Sequence, residues 1–134
     1  MLKLNIPKEI FEQMLKQAVT ASPVESCGIL AGTDGNVSKI YMMTNIDNSS
    51  EHFTMEPQEQ FKVIKDIRSA GLEMLAIYHS HPNSPARPSE EDIRMALTPD
   101  VVYIILSIMS IEVPVIKGFR ITGKNVSENA VEII

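Results

Sequence analysis

Apolar residues recur at positions 10, 11, 14, 15, 18 and 19 of the segment from Lys8 to Val19. That three- and four-residue spacing gathers one apolar stripe on a helix. Pro7, with φ preset and no N–H to satisfy, suits the N-terminal position of this helix, and Ser22-Pro23 breaks it. The run Ser26-Cys27-Gly28-Ile29-Leu30-Ala31-Gly32 is short and continuous rather than alternating, the pattern of a buried strand. Asp34-Gly35 supplies the positive φ of a tight hairpin turn into a second strand, Val37 to Met43. The polar stretch Thr44 to Ser50 is expected to be a loop and His52 to Met55 a short strand. Pro57 to Ser69 has the spacing of a second amphipathic helix, closed by Gly71.

Further along, Met74-Leu75-Ala76-Ile77-Tyr78 reads as a strand entering a core and running on to His81. Pro82 to Pro88 ends it. Ser89-Glu90-Glu91-Asp92 before Ile93-Arg94-Met95-Ala96-Leu97 looks like a helix start. Val101 to Ser107 is dense in β-branched residues and predicts a central strand, with two more over Val113 to Ile121 and Val126 to Ile134. Helices and strands interleaved in this way predict an α/β fold, a mixed β-sheet sandwiched by helices. At 134 residues and 44% hydrophobic content, the chain suffices for one core and is short for two, so residues 1–134 are expected to form a single domain. No repeat, low-complexity stretch or linker divides it.

Charge narrows the partners. The formal net charge is −5 and the basic residues form no run or stripe, so nucleic-acid binding has no electrostatic support. No apolar run is long enough to span a bilayer and the N-terminus carries no signal sequence. The one cysteine, Cys27, has no partner for an internal disulfide, in keeping with a reducing compartment and a cytoplasmic protein. Beside Gly28 in an apolar strand, with no adjacent cation to lower its pKa, Cys27 reads as a small buried residue rather than a nucleophile.

The chemistry concentrates between residues 79 and 92. Two of the three histidines of the chain stand in His79-Ser80-His81, where a strand puts residues two apart on one face, about 6 to 7 Å from each other. Asp92, on the helix that follows, can return a carboxylate to them. Two imidazoles and one carboxylate hold a metal while leaving a fourth position for water, as in a catalytic zinc site. The same donor set describes the facial triad of non-haem iron oxygenases. Blander roles stay open, with Ser89 as a helix cap and Asp92 as an acidic first-turn residue that complements the helix dipole. His52 lies in no metal-like pattern and is expected to be structural or exposed.

Taken together, Glu25 within Pro23-Val24-Glu25-Ser26-Cys27-Gly28-Ile29-Leu30-Ala31-Gly32, then His79-Ser80-His81-Pro82, Ser89 and Asp92 resemble the JAMM (MPN-plus) metalloproteases. Their pattern is a glutamate, a long gap, His-Ser/Thr-His, seven residues, a serine, two residues and an aspartate, and every position is matched. The initial helix, the Cys-Gly-Ile-Leu-x-Gly strand, the helix before the histidine strand and the late Lys117-Gly118-Phe119-Arg120-Ile121 strand also fall in family order. The similarity is greatest to short, stand-alone prokaryotic members, several of which hydrolyse bonds at the C-terminus of ubiquitin-like sulfur-carrier proteins.

The resemblance implies an MPN-like fold and one Zn2+ per chain held by His79, His81 and Asp92. It gives Glu25 proton transfer and Ser89 stabilisation of the oxyanion. The implied reaction is hydrolysis of an amide or isopeptide bond after the Gly-Gly tail of a ubiquitin-like or sulfur-carrier protein. Residue logic alone does not select Glu25, since Glu51, Glu56 and Glu73 are also available. Two related readings remain: the RadC-type proteins, which typically carry Asn between the histidines and an added helical domain, and non-catalytic scaffolds of the same fold, which usually lose ligands. The interval from Ser107 to Val115 is short, without the insertions that eukaryotic relatives use to grip a second ubiquitin.

Overall fold

A computed structural model of the protein describes residues 3–134. In chain order its elements are β1 (Leu4–Ile6), α1 (Lys8–Ala21), β2 (Cys27–Thr33), β3 (Asn36–Met43), α2 (Pro57–Ser69), β4 (Glu73–His81), α3 (Glu90–Arg94), β5 (Val102–Ser107), β6 (Val115–Thr122), β7 (Asn125–Asn129) and β8 (Val131–Ile133). All eight strands belong to one sheet, in the order β7-β6-β5-β4-β2-β3-β1-β8. β4 and β5 pair in parallel, and β2 runs antiparallel to both β3 and β4. The fold is thus a mixed α/β sheet with helices on its faces. Among the described residues no helix is long and apolar enough to cross a membrane.

Because side chains alternate along a strand, the two faces of β2 and β4 feed two separate cores. Leu30, Ala76 and Tyr78 point toward the core that includes Ile10, Met14 and Ala18 of α1. Cys27, Ile29 and Ile77 point the other way, toward Ile67 of α2 and Tyr103, Ile105 and Ile121. By the same parity His79 and His81 leave β4 on the α2 side. The buried histidines therefore sit at the end of a central strand, between the sheet and the segments that cover it.

Several expected elements differ in detail. β1 was too short to show a period, and it forms because β3 and β8 flank it in parallel. Pro7 occupies the N-cap rather than the first turn of α1. His52 to Met55 is not a strand. Its only ladder contact is a bridge between Asn45 and Met55, because the Asn45 side chain takes up neighbouring backbone groups. α3 stops after Arg94 instead of continuing to Leu97, and the Tyr103 hydroxyl takes both the N–H and the carbonyl of Thr98. The strand expected over Val126 to Ile134 is two strands that lie at opposite ends of the sheet order. The chain crosses between them at Ala130, whose carbonyl accepts from Leu4 N at 2.9 Å.

Two glycines show why the sheet tolerates no larger residue at given points. Asp34 (φ 54°) and Gly35 (φ 80°) form the left-handed pair of the β2–β3 turn, as Asp-Gly predicts. At Gly28 the constraint is space, because a Cβ there would overlap the ring of Tyr78, its partner across β2 and β4. That ring is fixed by its hydroxyl, which donates to Gln17 Oε1 of α1 at 2.6 Å. Gly28→Ala is expected to cost about 1 to 3 kcal/mol through overpacking, read as a lower urea midpoint at unchanged slope.

Candidate functional site

Three donor atoms converge at the end of β4. His79 Nε2 lies 3.1 Å from His81 Nε2, and Asp92 Oδ2 lies 3.2 Å from the first and 3.1 Å from the second. The three side chains are between 4% and 6% exposed, so this is an interior cluster. Bonds of about 2.0 to 2.1 Å from a tetrahedral ion give edges of roughly 3.3 Å between ligand atoms. The observed triangle fits one such ion at its open face. His81 Nδ1 donates to the Pro85 carbonyl at 2.8 Å, so in the neutral imidazole Nε2 carries the lone pair, the tautomer a metal requires.

Asp92 is placed by the helix start itself. Ser89 Oγ accepts from Asp92 N and Asp92 Oδ2 accepts from Ser89 N, both at 3.0 Å, a reciprocal capping box. The blander roles of Ser89 and Asp92 are therefore real, and they coexist with the cluster: the cap aims the carboxylate at the histidines. Burial opposes the charge on Asp92, yet hydrogen bonds from His79 and His81 and from Ser89 N hold it well below the ordinary carboxylate range. Desolvation lowers the pKa of His79. His81 also pays desolvation, but its bonds to Asp92 and the Pro85 carbonyl outweigh that and raise it.

Of the four glutamates available from the sequence, the structure brings Glu25 to the cluster. Its carboxylate and the two imidazoles offer atoms all within 4.8 Å of one another. Glu25 is 3% exposed, and its Oε1 has no hydrogen-bond partner. Desolvation raises its pKa to about 8, against the lowering influence of His81. Glu56 instead caps α2, Glu73 accepts from Asp34 N, and Glu51 stands at the exposed mouth. A cleft of about 940 Å³ opens over the cluster, lined among others by Glu25, Glu51, His52, His81, Ser89 and Arg94. Cys27 lies outside it, buried, with its thiol pushed up to about 12 by desolvation.

Sequence reasoning missed three residues that support this arrangement. Ser80 faces away from the cluster, and its Oγ accepts from Ser26 N at 2.8 Å, tying the segment after Glu25 to the histidine strand. Phe53 stacks on His79 with centroids 4.7 Å apart and planes at 26°. Asn45 donates to the Glu25 carbonyl. None lies in a spacing that local periodicity reveals. His52 is half-exposed and paired with Asp47 at 3.0 Å.

Residues 7–122 match the family of prokaryotic homologues of the JAB domain. The chain belongs to that family. It is 30% identical to the CysO-cysteine peptidase of Mycobacterium tuberculosis over 98% of this chain and 91% of that protein. It is 34% identical to the desampylase of Pyrococcus furiosus, over 78% of this chain and 74% of that one. A protein of Desulfitobacterium hafniense, known as a solution structure, superposes with a TM-score of 0.89 at 40% identity, covering 98% of this chain and 92% of that chain. A JAB1/MPN domain protein from Archaeoglobus fulgidus shares the fold, with a TM-score of 0.67 at 20% identity over 98% of each chain. As a JAB-family member with peptidase and desampylase relatives, the protein is a hydrolase of peptide or isopeptide bonds.

Glu25 gives a stability prediction for the metal-free protein. The folded state keeps its proton up to about pH 8, whereas an unfolded glutamate loses it near 4.3. The folded state thus binds more protons between these values, and stability falls as pH rises through that window. Glu25→Gln removes the penalty. It is expected to stabilise the metal-free protein at pH 8 by on the order of 2 kcal/mol and to leave it nearly unchanged at pH 4. Urea titrations at the two pH values measure the difference.

Proposed function

We propose that this protein is a zinc-dependent enzyme that hydrolyses the amide or isopeptide bond following the C-terminal Gly-Gly of a ubiquitin-like or sulfur-carrier protein. In this reading residues 1–134 act as one cytoplasmic domain, and His79, His81 and Asp92 hold one Zn2+ per chain. The observation that carries it is the buried triangle of His79 Nε2, His81 Nε2 and Asp92 Oδ2 beside the unpartnered Glu25 Oε1. Family relatives support the substrate class. The names of the peptidase and desampylase relatives, and of a Thermus thermophilus protease said to cleave TtuB–protein conjugates, point to small carrier proteins.

When bound, zinc lowers the pKa of a water molecule toward about 7 and polarises the carbonyl oxygen. Glu25 accepts the proton of the attacking water on its free Oε1 and passes it to the departing amine. In the metal-free protein burial raises this carboxyl to about 8; a bound cation beside it would favour the ionised form that accepts the proton. Ser89 Oγ already accepts from Asp92 N, which leaves its own O–H to donate to the oxyanion. Glycine residues before the scissile bond suit the cleft because, without a Cβ, they approach the cluster closely.

Elemental analysis of metal-replete protein is expected to find one zinc per chain, lost in His81→Ala. Protein that retains iron in preference to zinc would instead support the oxygenase reading. On the substrate side, mass spectrometry should show zinc-loaded protein releasing an amino acid or peptide from a Gly-Gly-ending carrier. Glu25→Gln should keep zinc and lower kcat by about 10² to 10⁴-fold. Cleavage of di-ubiquitin with no action on any carrier adduct would reject the carrier assignment and leave the isopeptidase chemistry standing.

A further inference from the structure

At the centre of the segment between β3 and α2 stands the side chain of Asn45. Asn45 Nδ2 donates to the Glu25 carbonyl at 3.1 Å and to the His52 carbonyl at 3.0 Å. Its Oδ1 accepts from Asp47 N and Thr54 N, each at 3.1 Å. Both amide hydrogens and both lone pairs are thus used, every one on backbone. The loop closes on itself as well. Ile46 N donates to Thr54 O at 3.0 Å, and Thr54 Oγ1 donates to Asp47 Oδ2 at 2.6 Å.

Glu25 is held from both sides of its own backbone by this loop. Its N–H donates to Ser49 O at 2.8 Å and its carbonyl receives Asn45 Nδ2. The residue precedes β2, so the sheet ladder does not fix it, and its Oε1 finds no partner in the interior. Something other than its own side chain must hold that carboxylate in place. The same loop brings Phe53 onto His79 and His52 to the cleft wall.

We propose that Asn45 is a positioning residue for the reaction, fixing the Glu25 backbone to the 45–55 loop so that the Glu25 carboxylate stands at the metal cluster. This rests on the reading of Glu25 as the proton carrier. Asn45 touches no reacting atom; it acts through Glu25. A displacement of about 1 Å of a catalytic group can cost on the order of 10²-fold in rate, so the loss belongs in kcat rather than KM.

The experiment compares Asn45→Asp, Asn45→Ala and Thr54→Val in zinc-loaded protein acting on a Gly-Gly-ending carrier fused to a short peptide. Asn45→Asp keeps the two acceptor bonds and loses both donors. Thr54→Val loosens the same loop at Asp47 without touching Glu25. Asn45→Asp and Asn45→Ala are expected to lower kcat by about 10- to 100-fold with KM within about threefold, while Thr54→Val changes kcat by no more than about twofold. If Asn45→Ala does not fold, the near-isosteric Asn45→Asp decides alone. Equal kcat losses in Asn45→Asp and Thr54→Val, full activity in Asn45→Asp, or a rise in KM alone would overturn the proposal.

A readout independent of turnover is hydrogen exchange of the Glu25 amide, measured by NMR. Its exchange is expected to be at least about tenfold faster in Asn45→Asp and close to wild type in Thr54→Val. Wild-type protein that cleaves none of the conjugates tested would sink the functional reading itself. The exchange of that amide then decides the positioning role by itself: selective loss of protection in Asn45→Asp supports it, and equal protection in all variants rejects it.

Discussion

Three electron-rich atoms within 3.2 Å of one another, buried and facing inward, repel unless a proton or a cation lies between them. The rest of the molecule is arranged to hold that cluster in place. β4 is interior to the sheet, with β2 beside it as far as His79 and β5 beside it from Ala76 to His81, so the ladder holds the backbone of both histidines. The Pro85 carbonyl orients one imidazole, Phe53 stacks on the other, and the capping box of α3 turns Asp92 toward both. A short helix with no buried apolar residue of its own is thereby given a task that packing alone would not explain.

Glu25 shows the same economy at a cost to stability. A carboxyl with one oxygen unpartnered in the interior opposes folding wherever it must ionise, and burial has raised its pKa to about 8. The surrounding structure over-determines it through Ser49, Asn45 and the Ser26–Ser80 pair. Strain of this kind is tolerated because the two cores on either side of the sheet are continuous and apolar.

Local rules carried well where the local signal was strong. The period of α1 and α2, the Asp34-Gly35 turn and the β-branched run of β5 each appeared as read, because each depends on neighbours a few residues away. They failed where the partner is distant. β1 and β8 exist only through pairing with each other and with β3, the segment at His52 lost its strand to the Asn45 side chain, and α3 ended early where Tyr103 captures Thr98.

The sequence by itself determined that two imidazoles leave one face of a strand and that a serine three residues before an aspartate begins a helix, since both follow from fixed short periods. It did not determine which glutamate meets them. Glu25 lies 54 residues from His79 in the chain (79 − 25) and is not on the strand register that carries the histidines. The antiparallel pairing of β2 with β4, with Cys27 opposite His79, brings the segment before β2 alongside the histidines, and the 45–55 loop bonds the Glu25 backbone there. That contact belongs to long-range pairing and burial, which no local spacing encodes.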